Sequence, residues 1–135
     1  MLDREQIVAD FHDKMGQAIE ADWTPDLLEL RHRLVMEEFQ ELSDEFVNIS
    51  VKLDNGQRVT KTDKASFLKE LADLQYVISG CAVALGLSLE DAFLRVHMSN
   101  LSKLDDDGRP VYRDDGKVMK SRNYQPPVMH DLIID

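Results

Sequence analysis

Acidic residues lie inside the apolar stripes of two long helical segments, and this pattern constrains the fold more than any other feature of the 135-residue chain. Placed at about 100° per residue, Glu38 and Glu41 continue an apolar stripe that includes Leu34. Farther along the chain, Glu70 lies within another apolar stripe and Asp73 lies at its edge. Because an unpaired buried charge costs several kcal/mol, two facing acidic pairs need a cation. We therefore expect a helical protein whose carboxylates converge on a metal ion.

Apolar periodicity predicts four helices, which cover residues 2–19, 25–49, 63–85 and 89–104. Three of their ends carry capping signals: Thr24-Pro25 at the start of the second helix, Gly86 after the third, and a capping box of Ser88 and Asp91 before the fourth. An Asn-Gly pair predicts a small hairpin or a loop within residues 52–62. The predicted fold class is therefore all-α, a bundle of four to five helices.

Residues 105–135 are expected to form an irregular tail. Two Asp-Gly turns, at residues 107–108 and 115–116, and the pair Pro126-Pro127 prevent a continuing helix. The tail also carries apolar residues, which predict that it docks on another surface rather than staying free in solution. By length we expect one domain over residues 1–135.

A separate apolar stripe follows another face of the second predicted helix. It consists of Leu28, Val35, Phe39, Leu42 and Phe46. A helix with two apolar faces is expected to be covered on both sides. Because four helices of this size leave apolar area that one protomer does not cover, we expect a homodimer or a homotetramer.

The charge and the cysteine content exclude several classes of function. Sixteen basic and 26 acidic residues give a net charge of −10, which argues against nucleic acid and anionic membrane surfaces as partners. No apolar run approaches the ~18 residues of a membrane span, and no leader peptide is recognised, so we expect a cytoplasmic protein. The single cysteine, Cys81, excludes thiolate metal sites and internal disulfides.

Ligand chemistry then indicates which metal the carboxylates hold. Oxygen ligands without paired histidines favour Mg²⁺ or Mn²⁺, and two such ions suit attack on a phosphoryl group. Two alternatives remain. The acidic segment is an ordinary solvated helix face, or the chain is a di-iron carboxylate bundle, which needs Glu-x-x-His on two helices, whereas this chain has that spacing only at Glu29 and His32.

The acidic motifs occur in a recognisable order. Glu37-Glu38-x-x-Glu41 is followed, 28 residues later, by Glu70-x-x-Asp73, and further motifs lie at residues 96–103, 115–120 and 123–127. From about Leu27 to Pro127 the sequence resembles the phage-type MazG-like all-α nucleoside triphosphate pyrophosphohydrolases. Their relatives include dimeric dUTPases, dCTP pyrophosphatases and phosphoribosyl-ATP pyrophosphohydrolase. The segment 52–62 departs from that family as an insertion between the acidic motifs.

The resemblance implies metal-dependent cleavage of a nucleotide between its α- and β-phosphates, with Mg²⁺ or Mn²⁺ as cofactor, two or more ions per site. It implies metal ligands at Glu38, Glu41, Glu70 and Asp73, with catalytic roles for Glu37 and Glu38. Glu37 would bind a second metal or orient the attacking water. It further implies nucleotide or phosphate contacts by Asn100, Lys103, Lys117, Lys120, Arg122 and Tyr124.

The identity of the base is inferred from the family resemblance. The family resemblance favours dGTP weakly, with dUTP, dCTP or a phosphoribosyl nucleotide as alternatives. Phe11, His12 and Trp23 are candidates for stacking on a base, although each also suits a helical core. An alternative of another class is a non-catalytic helical oligomer that the metal stabilises.

Overall fold

The computed structural model describes residues 3–134, and the chain is almost entirely helical apart from its C-terminal part. The elements are α1 (Arg4–Met15), α2 (Pro25–Asp54), α3 (Lys61–Leu85), α4 (Leu89–Leu101), β1 (Val111–Tyr112), β2 (Val118–Met119) and a short 3-10 helix (His130–Leu132). The predicted all-α class is confirmed.

The chain divides into two compact units, Met1–Gly86 and Leu87–Asp135, which we call the helical unit and the C-terminal unit. In the helical unit α2 and α3 make the most extensive contact, and α1 packs on α3. Because a short loop, residues 55–60, joins α2 to α3, the two helices run antiparallel. The expectation of a single domain stays a prediction.

Helix α1 is shorter than predicted. The carboxylate of Asp3 accepts hydrogen bonds from the backbone N–H groups of residues 5 and 6 and so caps its N-terminus. The helix ends at Met15 because Gly16 adopts a left-handed φ of 67°. The predicted continuation to Ile19 is wrong, and the predicted start at Leu2 lies outside the described residues.

Helix α2 is longer than predicted, and of the two alternatives for residues 52–62 the hairpin is wrong, since the helices are joined by a shorter loop over residues 55–60. The start is confirmed, since Thr24 Oγ1 accepts a hydrogen bond from the backbone N–H of Leu27 at 3.2 Å. The helix then continues to Asp54, where Asn55 caps it and Gly56 follows with a φ of 71°. An Asn-Gly pair suits a helix end as well as a hairpin turn, and here the helix is formed.

Helix α3 begins with a capping box that the sequence argument missed. Thr60 Oγ1 accepts from the backbone N–H of Asp63 at 3.1 Å, and Asp63 Oδ2 accepts from the backbone N–H of Thr60 at 2.9 Å. Lys52, near the end of α2, donates to Asp63 Oδ1 at 2.5 Å. The hydrogen bond from Lys52, followed by those from Thr60, lowers the pKa of Asp63 from 3.8 to about 2. This carboxylate therefore ties the ends of α2 and α3 together.

The lowered pKa of Asp63 predicts a specific loss of stability in acid. The contribution of this group is complete above its unfolded pKa of 3.8 and is lost as the pH falls towards its folded pKa of about 2. We expect the melting temperature of the native sequence to fall more steeply between pH 4 and pH 2 than that of Asp63→Asn. Thermal unfolding followed by circular dichroism measures both slopes, and equal slopes would contradict the prediction.

The core of the helical unit contains polar groups beside Gly80 of α3. His12 and Arg31 are buried, and the Nδ1 of His12 donates to the carbonyl oxygen of Ala18 at 2.7 Å. A Cβ added at Gly80 would lie 3.2 Å from the Nε2 of His12 and 3.5 Å from the Nη1 of Arg31. Because the hydrogen bond to Ala18 holds the ring in place, a side chain at residue 80 would crowd this close approach of α1, α2 and α3.

We expect Gly80→Ala to destabilise the protein by about 1 to 2 kcal/mol, although alanine is the better helix former by about 1 kcal/mol. The test is a double-mutant cycle with His12→Ala, measured by denaturant unfolding. With the imidazole removed, Gly80→Ala should become neutral or stabilising. A stabilising effect in the native background would show that the ring yields to the new methyl group.

The apolar stripe on the second face of α2 is largely exposed within one protomer. Leu42 is buried and Val35 is half-buried, but Leu28, Phe39 and Phe46 are 42%, 51% and 54% exposed. The expectation that α2 is covered on both sides is therefore wrong for the single chain. Phe46 packs edge-on against Phe67 of α3, with 4.8 Å between ring centroids, and still keeps about half of its surface exposed.

In the C-terminal unit, α4 starts at Leu89 and ends at Leu101, three residues before the predicted end. The predicted capping box is wrong, because the Ser88 hydroxyl donates to the Asp91 carboxylate at 2.7 Å and no side chain caps the backbone. Among helices in residues 3–134, none alone is long and apolar enough to cross a membrane; α3 and α4 reach that length and hydropathy only when counted together.

The tail docks on α4 through hydrogen bonds and contains an unpredicted β-hairpin. Ser99, which is buried, donates to the carbonyl oxygen of Gln125 at 2.6 Å, and Arg95 forms a two-pronged ion pair with Asp131. Strands β1 and β2 pair antiparallel on either side of the turn that contains Gly116. The Asp-Gly pair there indicated a turn, but strands of two residues leave little periodicity in the sequence.

Candidate metal centre

Four carboxylates from α2 and α3 meet on the facing sides of the two helices. One oxygen each from Glu38, Glu41, Glu70 and Asp73 can be chosen so that all four lie within 4.8 Å of one another. On both helices the two acids are three residues apart, which places them on one side about one turn apart. The structure thus brings together the four residues predicted as metal ligands, which we call the acidic cluster.

Two oxygens of the acidic cluster are buried without a hydrogen-bond partner. They are Glu38 Oε2 and Glu70 Oε2. Burial, followed by the nearby charges and the hydrogen bond of Glu41 and the charges of Asp73 and Glu70, raises the pKa of Glu38. Buried carboxylate oxygens normally have partners, so the two orphaned atoms are free to accept a cation or another donor.

A lysine that the sequence motifs did not indicate lies beside the acidic cluster. Lys69 Nζ lies 2.8 Å from Asp73 Oδ2 and 3.6 Å from Glu70 Oε1, and its side chain is 66% exposed. The hydrogen bond to Asp73, followed by the charges of Asp73 and Glu70, raises the pKa of Lys69. Within residues 3–134, no other basic side chain forms an ion pair with the cluster. The i, i+4 spacing of Lys69 and Asp73 permits this contact but does not by itself predict it.

The acidic cluster fits a hard divalent cation. All of its candidate ligand atoms are carboxylate oxygens, which Mg²⁺ and Mn²⁺ prefer. The two buried oxygens without a hydrogen-bond partner also need a positive charge nearby. Lys69 meets that need only in part, because it contacts Asp73 and Glu70 and leaves Glu38 without a cationic partner. The arrangement can therefore hold a metal ion.

Glu37 lies outside the four clustered residues and is exposed. The sequence placed it on the same broad face as Glu38 and Glu41. Helix α3 approaches the side of α2 that carries Glu38 and Glu41, so Glu37 faces solvent at the margin of the acidic cluster. Its predicted catalytic role stays a prediction.

The three candidates for base stacking have different environments. His12 is buried, and its ring supports the loop that follows α1. Phe11 packs edge-on against Tyr76 with 5.6 Å between ring centroids. Trp23 is 58% exposed, and its indole N–H donates to the carbonyl oxygen of Leu85 at 3.0 Å. His12 is therefore a core residue, whereas the exposed indole of Trp23 is accessible for stacking on a base.

The predicted nucleotide-binding residues of the C-terminal unit are mostly exposed. Lys120 lies over the ring of Tyr124, 4.6 Å from its centroid, and Arg122 forms an ion pair with Asp106. Asn100 and Lys117 are exposed, and Lys103 is half-buried; these three form no side-chain hydrogen bond or ion pair within residues 3–134. Their contacts with a nucleotide stay predictions.

Comparison with known proteins assigns the family. A search of curated protein sequences finds no match to the chain. Residues 8–100 match the family model described as phosphoribosyl-ATP pyrophosphohydrolase. The matched region contains α2, α3 and the whole acidic cluster, and the resemblance inferred from the two acidic motifs is confirmed. The chain belongs to the phosphoribosyl-ATP pyrophosphohydrolase family, a family of MazG-like all-α nucleotide pyrophosphohydrolases.

Proposed function

We propose that this protein is a metal-dependent nucleoside triphosphate pyrophosphohydrolase that cleaves (d)NTP to (d)NMP and pyrophosphate. The observation that carries the proposal is the convergence of Glu38, Glu41, Glu70 and Asp73 in a member of a pyrophosphohydrolase family. A triphosphate brings several negative charges towards a chain of net charge −10, so the reaction needs local cations.

Mg²⁺ or Mn²⁺, two or more ions per site, is the proposed cofactor, held by the four carboxylates of the acidic cluster. When bound, such an ion neutralises phosphate charge and lowers the pKa of coordinated water. Glu37, exposed at the margin of the cluster, is the proposed group that orients the attacking water and accepts its proton. Glu38, one of the two cluster residues with a buried oxygen that lacks a partner, is proposed to assist in catalysis.

The C-terminal unit supplies the proposed contacts to the nucleotide. Lys103, Lys117 and Lys120 carry positive charges that no carboxylate pairs with in residues 3–134, so these charges are available to phosphates. Arg122 is already paired with Asp106, which would have to release it. Asn100 and Tyr124 complete the proposed set.

The preferred substrate is proposed as dGTP, with dUTP and dCTP as alternatives. A phosphoribosyl nucleotide is a second candidate, and the description of the matching family, phosphoribosyl-ATP pyrophosphohydrolase, favours it. All of these substrates are cleaved to a monophosphate and pyrophosphate. The acidic cluster suits the phosphates of each candidate substrate equally, so the preference among substrates depends on groups that contact the base and sugar.

A panel assay distinguishes these substrates. The full chain is incubated with Mg²⁺ and each of the eight common NTPs and dNTPs, or with phosphoribosyl-ATP, and pyrophosphate release is measured. The Glu38→Gln, Glu70→Gln double variant, prepared in parallel, controls for contaminating phosphatases. Release from a deoxynucleotide supports the proposal, and release from phosphoribosyl-ATP alone supports the second candidate. If no substrate releases pyrophosphate, the remaining alternative is a non-catalytic helical oligomer.

The protein is also proposed to act as a homodimer or homotetramer. The exposed part of the second stripe on α2, namely Leu28, Phe39 and Phe46, supports this proposal, as does a groove of about 540 Å³ between α2 and α3. Apolar side chains such as Phe67 line that groove. Apolar surface of this extent is typical of an interface between protein chains.

A further inference from the structure

We propose that Lys69 is a tethered counter-cation that holds Asp73 and Glu70 in the metal-free protein and moves to a substrate phosphate when a divalent ion takes these carboxylates. The inference rests on the proposed function, and it concerns a residue outside the two acidic motifs. Its starting point is the pair of contacts from Lys69 Nζ, 2.8 Å to Asp73 and 3.6 Å to Glu70.

The ammonium group and a divalent ion compete for the same oxygens. A carboxylate oxygen of Asp73 that accepts a hydrogen bond from Lys69 at 2.8 Å has less electron density to offer a metal. Two cations a few ångströms apart also repel each other, and the repulsion is doubled for a divalent ion. The metal therefore binds the cluster at the expense of the Lys69 contacts.

Lys69 is able to move away because its side chain is long, flexible and 66% exposed. Because the lysine side chain itself is exposed, its release requires no repacking of α2 or α3. A phosphate bound at the metal brings negative charge to the mouth of the cluster, within reach of the released ammonium group. The same lysine thus balances the cluster without metal and contacts phosphate with metal.

The first test measures metal binding without nucleotide. Mn²⁺ is titrated into the full-length native protein, Lys69→Met, Lys69→Arg and Lys61→Met by isothermal calorimetry. Lys61 lies in the first turn of α3, about 12 Å along the helix, so its variant is a matched control for the loss of one charge. We expect Lys69→Met to bind Mn²⁺ about 3- to 30-fold more tightly, and the other two variants to resemble the native protein.

The second test measures phosphate binding on the metal-loaded protein. Pyrophosphate, which every candidate substrate releases, is titrated at saturating Mg²⁺ and so reports phosphate affinity independently of the base. Here we expect the opposite sign, with Lys69→Met binding pyrophosphate about 3- to 30-fold more weakly. Lys69→Arg should retain most of the native affinity.

Lys69→Met is expected to change Mn²⁺ affinity and pyrophosphate affinity in opposite directions, so each measurement tests one part of the proposal. Unchanged or weaker Mn²⁺ binding by Lys69→Met would exclude the competition, and unchanged or tighter pyrophosphate binding would exclude the transfer to phosphate. If the native protein itself binds no Mn²⁺, the proposed metal site fails and the role of Lys69 fails with it. If only the Lys69 variants behave unexpectedly, the proposed function stands and this inference alone is rejected.

Discussion

Replacing Glu38, Glu41 or Glu70 by glutamine, or Asp73 by asparagine, is expected to lower turnover by about 100-fold or more. Each substitution removes a hard oxygen ligand, and the position of a metal ion then shifts by more than catalysis tolerates. The measurement is the initial rate of pyrophosphate release at saturating Mg²⁺. The expected loss corresponds to about 2.7 kcal/mol of transition-state stabilisation.

Stability measurements separate a lost ligand from a damaged fold. Burial, followed by the charges of the other three carboxylates, raises the pKa of Glu38, so the ionised cluster is unfavourable without a metal. Neutralising one of the four groups should therefore not lower the melting temperature of the metal-free protein. Glu29→Gln is a matched control, since Glu29 is exposed on α2 away from the cluster. Native turnover in any two of the four cluster variants would rule out the proposed site.

Glu37→Gln is expected to lower kcat by about 100-fold or more while nucleotide affinity changes little. Glu37 is exposed and lies outside the acidic cluster, so its substitution leaves the four proposed metal ligands in place. A group that acts on the attacking water contributes mainly in the transition state, and its loss therefore appears in kcat.

Calorimetry with a non-hydrolysable nucleotide analogue tests the role of Glu37 separately from turnover. If analogue binding to Glu37→Gln is lost together with activity, Glu37 is a ligand of a second metal ion rather than the group that orients water. Retained binding with low kcat supports the proposed role. The control is Glu29→Gln, which should retain both binding and activity.

The acidic cluster could be predicted from the sequence because helical geometry is nearly invariant. Three-residue spacing fixes Glu38 with Glu41 on one side of α2 and Glu70 with Asp73 on one side of α3. The apolar residues around them indicated which sides face each other. The start of α2 was predictable for the same reason, since Thr24 and its hydrogen bond to the backbone are local features.

Features that depend on competing local signals were not predictable. The Asn-Gly pair after α2 was interpreted as a hairpin turn, although it also suits a helix end, and the pattern before it does not decide between the two. The position of Lys69 depends on the rotamer of a long exposed side chain, which spacing alone does not fix. Its contact with Asp73 had to be observed.

The second apolar stripe of α2 shows a further limit of sequence patterns. Leu28, Phe39 and Phe46 follow the helical period, so the pattern correctly marked an apolar face. A periodic pattern does not say whether the face packs within the same chain or against another one. In the helical unit, these three side chains remain exposed.

The central claim is that the acidic cluster supports metal-dependent cleavage between the α- and β-phosphates. Phosphorus NMR of a nucleoside triphosphate incubated with the protein, in Mg²⁺ or in excess chelator, tests it most directly. We predict equal amounts of nucleoside monophosphate and pyrophosphate with Mg²⁺, and no products with the chelator. Formation of a diphosphate and orthophosphate, or undiminished cleavage in the chelator, would contradict the account.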